Sequence, residues 1–583
     1  MAAELTVLTF NLWGIFNAEH RTARMIHFAS KVKDYDIILL QEQFSESDFE
    51  LICRHIPEGV RSTRYFRRYP TAFYGSGVAV ISRFPIKSSF FHVFPLQGYP
   101  ERVLHGDYYA NKGVARLCVS VPCDPIAGSA AGNVACRDVI VYCTHLVAMY
   151  QVPQQLRDWR DELYLSVRLS QAISFANYVV ATSRPCDPII IGGDFNSALD
   201  SMEIRTLRLL LKIRGYNLHS ALPVALSSCA DMTEEERREN LARITYSHEN
   251  MFTTAEGKLV SHGAYSLAQI DHLFVSHNTI RLCSYEDCPG AAPNYPFTQK
   301  VDGKESPCGV VVFTRNDEVT ALSPRSRWSQ FRSFFNKCCP AAGGQVTAGD
   351  RHAAEVKCPL SDHYGVAARL QLVTQDKDAD EEFQATSQGG PAMLTTEEEE
   401  SLLSVISFFE LSMERLRQEY LTFLLLGIAA VIAVFFSVVY ILRRSYVQMD
   451  VAHSTLEGIV SIFRGQGGSI KAEGGVAGHA VEESTSRVAR FLHDRFYLGG
   501  AGWWPGSGAI SRDAIDYRAI ASSLVGGGGT DPLLLVIIIL GPIFGVNCLL
   551  IALLNRMSYV KIIKDQVAEL RSSFVKSSER NNK

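Results

Sequence analysis

The sequence predicts an α/β chain, a mixed α/β head followed by two membrane-spanning helices. Three observations carry that expectation. From Leu5 to about Leu372, apolar and β-branched runs alternate with amphipathic stretches. Five polar motifs, TFNLWG, ILLQEQ, VYCTHL, IIIGGDFN and, past QIDHLF, SDHYG, each close such a run. Far downstream, the apolar segments 420–442 and 532–554 hold no charged residue, and each is long enough for a bilayer, which needs about 20 residues.

The head comes first, over 1–372. Strands are expected at LTVLTF, DIILL, GVAVIS, VARLCVSV, DVIVYC, PIIIG and QIDHLFV. Residues 158–182 carry apolar positions at helical spacing and lead into PIIIGGDFN, so a helix feeds a buried strand. A Pro-, Gly- and charge-rich stretch over about 284–357 reads as an insertion or long loop. Residues 373–394 read as a polar linker. A helix restarts at 395–419, where Thr395 and Glu398 fit a capping box. Its apolar face, Leu402, Leu403, Val405, Ile406, Phe409, Met413 and Leu416, packs on the head, lies on the membrane, or simply extends the span. Segment 443–531 is a Gly-rich connection and 555–583 a basic tail.

Composition narrows the partners. At 583 residues the chain exceeds a single core, which stops growing near about 250–300 residues. A net charge of -4 and a pI near 6.5 give no basic footprint, so no nucleic-acid partner is expected. The 14 cysteines are scattered without a CxxC pair, which disfavours zinc-finger and disulfide frameworks. The start MAAELTVLTFNLW has no basic segment ahead of a long apolar core, and no N-x-S/T sequon occurs; both favour a cytosolic head. Two spans return head and tail to one side of the membrane, and the flanking basic residues tilt slightly toward that orientation.

The motifs bear the chemistry of a metal-dependent phosphodiesterase. A phosphodiester resists hydrolysis because its anionic oxygens repel a nucleophile, so the reaction needs a cation, a base for water and a stabilised leaving oxygen. Glu42 and Asn11 offer hard oxygen ligands suited to Mg²⁺. His363 is the candidate general base and Asp271 its orienting carboxylate. Asp194 and Asn196 lie two apart, so a turn can aim both at the phosphate, with Gly192 and Gly193 allowing close approach. His145 is placed to donate to a phosphate oxygen or protonate the leaving group.

The ordered set resembles the endonuclease/exonuclease/phosphatase superfamily over residues 5–372, matching at Asn11, Glu42, His145, Asp194, Asn196, Asp271, Asp362 and His363. The resemblance implies a DNase I-like four-layer α/β sandwich and adds Asp362 to the metal set with Glu42 and Asn11. GSGVAVISRFPI, GYPERVLHGDYYANKGVARL, CTHLVAMYQ and the paired IDH and SDH are similar to neutral sphingomyelinases and inositol phosphosphingolipid phospholipases C. HGDYYANKG then implies a substrate-contacting pair, Asp107 and Lys112, thought to toggle between inhibitory and productive positions.

These likenesses imply a phosphosphingolipid substrate, Mg²⁺ (with Mn²⁺ as substitute), an anionic phospholipid activator and an endomembrane such as the endoplasmic reticulum. SPRSRWSQFRSFFNKCC, ending in Cys338 and Cys339, suits an anionic membrane surface or, alternatively, a basic helix packed on the head. Head-group preference and oligomeric state stay open. The rivals are a membrane-tethered phosphoinositide phosphatase or nuclease, disfavoured by the missing WxGDxNxR pattern, and a non-catalytic scaffold.

Overall fold

The apolar runs fold as two facing sheets. The computed structural model describes residues 3–123, 136–151, 158–223, 233, 243–247, 250–254, 267–283, 298–301, 304–307, 310–313, 318–322, 355–373, 394–465 and 532–581. In chain order the head opens with β1 (Glu4–Asn11), α1 (Arg21–Lys31), β2 (Ile37–Gln41), α2 (Glu46–His55), β3 (Tyr65–Arg68), β4 (Ala79–Ser82) and β5 (Ile86–Val93). It continues with β6 (Gly113–Pro122), β7 (Cys136–His145), α3 (Leu165–Thr182), β8 (Ile189–Asp194) and α4 (Met202–Ile213). Then come β9 (Leu218–Ser220), β10 (Asp271–Ser276), β11 (Ile280–Leu282) and β12 (Gly365–Leu372). One sheet runs β11-β12-β1-β2-β4-β3 and the other β5-β6-β7-β8-β10-β9.

Strand alternation builds the layers. Leu5, Val7, Ile37 and Leu39 face the second sheet, where Val139, Val141, Ile190, Leu273 and Val275 meet them in one buried cluster. The alternate residues Leu8, Phe10, Ile38 and Leu40 turn outward onto Met25, Phe28 and Ala29 of α1 and Phe49 and Ile52 of α2. On the other side Ile140, Tyr142, Ile189 and Ile191 pack under α3 and α4. Strands buried on both faces need apolar residues at every position, which is why they read as unbroken runs. Helix, sheet, sheet and helix make the expected four layers.

Two further helices complete the head. The chain divides into one unit of Met1–Arg417 with Asn555–Lys583 and a second of Gln418–Leu554. α5 (Thr396–Gly465) starts in the first unit, where Leu402, Val405, Ile406, Phe409 and Leu416 are buried in the core that covers the second sheet. Its capping box forms: Thr395 N donates to Glu398 at 2.9 Å and Glu398 N donates to the Thr395 hydroxyl at 3.3 Å. After α6 (Pro532–Leu550) and a π-turn at Ile551–Arg556 comes α7 (Met557–Asn581). Tyr559, Ile563, Val567 and Leu570 of α7 join that same core. The segment read as a basic tail is thus a packed helix, and the packing unit extends beyond residue 372.

In the second unit α5 and α6 meet through glycine. A Cβ on Gly427 would lie 2.7 Å from Leu549, and one on Gly545 would lie 3.1 Å from Ala430. Thr396–Val447 and Val536–Ser573 are long and apolar enough to cross a membrane.

The presumed long loop contains β-structure. Thr298–Val301 pairs with Lys304–Pro307, Val310–Phe313 adds to β12, and Glu318–Leu322 pairs with Glu355–Pro359. The helix read over 158–182 begins at Leu165, behind a short 3-10 turn at Trp159–Asp161. The linker 374–393, the connection over 466–531, and SPRSRWSQFRSFFNKCC with Cys338 and Cys339 lie outside the described residues.

Candidate active site

Two parallel pairs aim the motifs at one end of the sandwich. β1 and β2 run parallel with Asn11 opposite Gln41, and β7 and β8 run parallel with His145 opposite Asp194. Antiparallel β10 begins there, with Asp271 opposite Asp194, and β12 begins beside the end of β1, with Val366 opposite Thr9. The carboxyl ends of β1, β2, β7 and β8 and the amino ends of antiparallel β10 and β12 therefore meet at a single rim, so Asp271 and SDHYG open their strands instead of closing an apolar run as the sequence suggested.

The polar groups form a buried chain. Asn11 Nδ2 donates to Glu42 Oε1 at 3.1 Å and to Asp194 Oδ2 at 2.9 Å, and stands 3.5 Å from His363 Nε2. His363 Nδ1–H donates to Asp271 Oδ2 at 2.9 Å. His145 Nε2 lies 3.5 Å from Asp194 Oδ2. Asp194 Oδ1 accepts from Asn196 N at 2.9 Å, and Asn196 Nδ2 donates to Leu146 O at 3.0 Å. Glu42 and Asn196 hold left-handed backbones, φ 60° and 48°, outside the ordinary range for such residues.

Lys112 and Asp107 are no surface pair. Lys112 Nζ donates to Asp107 Oδ1 at 2.8 Å, to Leu146 O at 2.8 Å and to His145 Nε2 at 3.0 Å, which occupies all three ammonium protons. Asp107 Oδ2 accepts from Ala148 N at 3.0 Å and from the Tyr150 phenol at 2.9 Å.

Burial and charge set the protonation. Burial and then the Asp362 charge push the Glu42 carboxyl up to about 7. Burial lifts Asp271 to about 6, with His363 opposing. Burial works against charge on His363, but Asp271 and Asp194 outweigh it and raise the imidazole well above its usual range. Burial, Lys112 and His363 together hold His145 neutral, its pKa well below the usual value.

The donor set fits a cation. Glu42 Oε2 and Asp271 Oδ1 are buried without a hydrogen-bond donor. A buried, unpartnered carboxylate oxygen on Glu42, whose pKa the neighbouring Asp362 charge helps to raise, is what a hard divalent ion neutralises. Among the described residues Asp194, Asp271 and His363 form a trio whose ligand atoms lie within 4.8 Å of one another. That trio differs from Glu42, Asn11 and Asp362: Asp271 is hydrogen-bonded to His363 and lies opposite Asp194 in the sheet, and Asp194 Oδ2 stands 3.9 Å from His363 Nε2. Asn11 departs from the expected role of oxygen ligand: its Oδ1 accepts from Trp13 N at 2.9 Å and its nitrogen faces the carboxylates. Asp362 accepts from the Ser361 hydroxyl at 3.3 Å. Gly193 serves strand packing rather than ligand approach, since a Cβ there would sit 2.2 Å from Thr144 O.

Several residues act in support, and of these only Ser361 lay inside a motif legible in the sequence, SDHYG. Thr245 Oγ1 accepts from Asp271 N at 3.0 Å, and the Tyr246 ring stands 4.9 Å from the His363 ring, edge to face. Ser361 Oγ donates to Asn11 O at 2.7 Å. The buried Arg24 donates to Leu12 O at 2.8 Å, Trp13 O at 2.9 Å and Leu360 O at 3.0 Å, joining the loops that carry Asn11 and His363.

The chain is similar to several known proteins. The sequence model of the endonuclease/exonuclease/phosphatase family matches residues 8–363. The inositol phosphosphingolipids phospholipase C of Schizosaccharomyces pombe is 34% identical over 198 residues, covering 33% of this chain and 42% of its own. Human sphingomyelin phosphodiesterase 2 is 29% identical over 195 residues, covering 33% of this chain and 41% of its own. The matched segment thus spans about two fifths of these relatives' length. The crystal structure of a sphingomyelinase C from Streptomyces griseocarneus aligns with a TM-score of 0.35 at 14% identity, covering 64% of this chain and 100% of that one.

Proposed function

Because the chain belongs to the endonuclease/exonuclease/phosphatase family, we propose that it is a membrane-anchored, Mg²⁺-dependent phospholipase C that hydrolyses phosphosphingolipids to ceramide and a phosphorylated head group. The observation that carries the reading is the buried chain from Glu42 through Asn11 and Asp194 to the His363–Asp271 pair. The names of the matched relatives and the HGDYYANKG segment support the lipid class. The two apolar helices support an anchor in an endomembrane such as the endoplasmic reticulum, with the head cytosolic.

Asp271 holds His363 by its Nδ1, which leaves Nε2 to take a proton from water as the water oxygen attacks phosphorus. The phosphorus–oxygen bond to ceramide breaks, the ceramide oxygen takes a proton from solvent and leaves as its alcohol, and His363 returns the proton it took to solvent. Lys112 faces the phosphate once Asp107 releases it, and His145 and Asn196 border the same space. A Mg²⁺ ion, or Mn²⁺ in its place, held by Glu42 with Asp362 and Asn11 nearby, offsets phosphate charge when bound.

The test is ceramide release by the full-length protein in mixed micelles containing an anionic phospholipid. Sphingomyelin and inositol phosphorylceramide are offered separately, with Mg²⁺ or with EDTA. Mg²⁺-dependent release from either lipid, absent in His363→Ala, is expected. A folded protein that releases ceramide from neither lipid sinks the proposal.

A further inference from the structure

The helix that follows the second apolar segment grips a loop leading into the site. Arg556 is 2% exposed; its guanidinium pairs with Glu101 and lies 4.5 Å from the centroid of the Tyr99 ring. One turn further, the Tyr559 phenol accepts from the backbone N–H groups of Gln97 and Gly98, each at 2.9 Å, and donates to Gly98 O. Gln97 in turn donates its side-chain amide to Lys112 O at 2.8 Å. Segment 97–101 is thereby fixed to residues that start directly after Leu554, the end of the apolar segment. Tyr559 is only five residues along the chain from it, at most about 18 Å even fully extended.

What the gripped loop presents is apolar. Val103 is 58% exposed and Leu104 100%, a few residues before Asp107. On neighbouring loops, Phe73 is 83% exposed and Phe16 67%. The Tyr74 ring stands 5.1 Å from each phenylalanine and 6.3 Å from Tyr109, whose phenol donates to Pro100 O at 2.7 Å. Phe16 follows Asn11 on the exit from β1, and Val103 and Leu104 precede Lys112. Large apolar side chains gathered on a polar rim mark a surface that meets an apolar partner.

We propose that the Val103–Leu104 loop, with Phe73 and Phe16 beside it, is a lip that inserts into the interfacial layer of the bilayer and opens the site onto lipid. The inference rests on the lipid-hydrolase reading and on 532–554 being a span. A bilayer is favoured over a soluble partner because the grip residues continue directly from that segment, so chain continuity carries the loop to the membrane surface. Chemistry agrees: moving acyl chains into water is unfavourable, a cost avoided if lipid enters from the membrane.

The experiment uses the full-length protein in phosphatidylcholine vesicles that also carry an anionic phospholipid, with Mg²⁺ present. Turnover of vesicle sphingomyelin is compared with turnover of water-soluble p-nitrophenylphosphocholine for wild type and for the double variant Val103→Asp, Leu104→Asp. The expected result is at least about a tenfold loss on vesicles, with the soluble ester cleaved within about twofold of wild type. Unchanged vesicle turnover overturns the lip, and so does an equal loss on both substrates, which marks a structural role. A wild type inactive on both, and also on inositol phosphorylceramide in the same vesicles, overturns the functional reading instead. The lip is then judged by Leu104→Trp emission, whose quenching by brominated phosphatidylcholine above the wild-type background is expected; its absence overturns the insertion.

Discussion

Asp271 and His363 determine how the site responds to pH. Asp271 helps to hold the imidazole well above its ordinary pKa, and a base must be unprotonated to accept a proton. Activity therefore falls as pH drops through the raised value. Asp271→Asn removes that charge, so the acid limb of the kcat/KM profile moves to lower pH, while the plateau falls about 10²-fold for want of a stabilised imidazolium. A limb that stays put in a folded variant rules out this pairing as its origin. The adjacent His272 acts on stability. Burial drives its pKa down to about 4, partly opposed by its ring nitrogen's hydrogen bond with Ser197 O. The unfolded chain binds a proton near 6.5 that the folded one refuses, so stability is intact above pH 6.5 and is lost as pH falls toward 4. The full loss is about 3 kcal/mol. His272→Gln is expected to flatten that acid slope in thermal unfolding of the detergent-solubilised chain, and an unchanged slope refutes the assignment.

At the scale of elements, α7 is the informative case. Its Tyr559 hydroxyl is the acceptor for two backbone N–H groups. Tyr559→Phe leaves both without it at nearly constant volume, so a cost of about 1–3 kcal/mol per unsatisfied group is expected in the unfolding midpoint, together with a lower kcat through the Gln97 contact to Lys112. Wild-type stability and kcat in this variant would show that water replaces the phenol. None of this was legible in the sequence, because Tyr559 and Gln97 are joined only by the fold across hundreds of residues. The strands were legible for the opposite reason: LTVLTF, DIILL and PIIIG are buried on both faces, so their apolar character is continuous and local. The motifs at their ends could be read because topology alone brings them together. The roles of Arg24, Thr245 and Ser361 could not, since side chains that hold loops through backbone carbonyls and N–H groups impose no spacing. The helix face at 395–419 was visible but not its partner, since an amphipathic stripe says that something apolar covers it and not what.

For the whole molecule, the head is not a contiguous stretch of chain. Its core over the second sheet takes Leu402, Val405, Ile406, Phe409 and Leu416 from α5 and Tyr559, Ile563, Val567 and Leu570 from α7, on either side of the apolar segments. Burying such a side chain is worth about 1.5–3 kcal/mol, and a domain's net stability is only about 5–15 kcal/mol. A fragment of residues 1–372 loses both helices and bares the faces of α3 and α4 they cover, so even a third of the lost burial uses up most of the margin. That fragment is expected to aggregate or bind apolar dyes, whereas a single chain joining 1–417 to 555–583 through a flexible linker should elute as a folded species in size-exclusion chromatography. Cooperative unfolding of the 1–372 fragment with wild-type stability would show the two helices to be passengers. Failure of the shorter fragment with success of the joined one would show that the start of α5 and α7, which residues 418–554 separate in the chain, complete the head by their own packing.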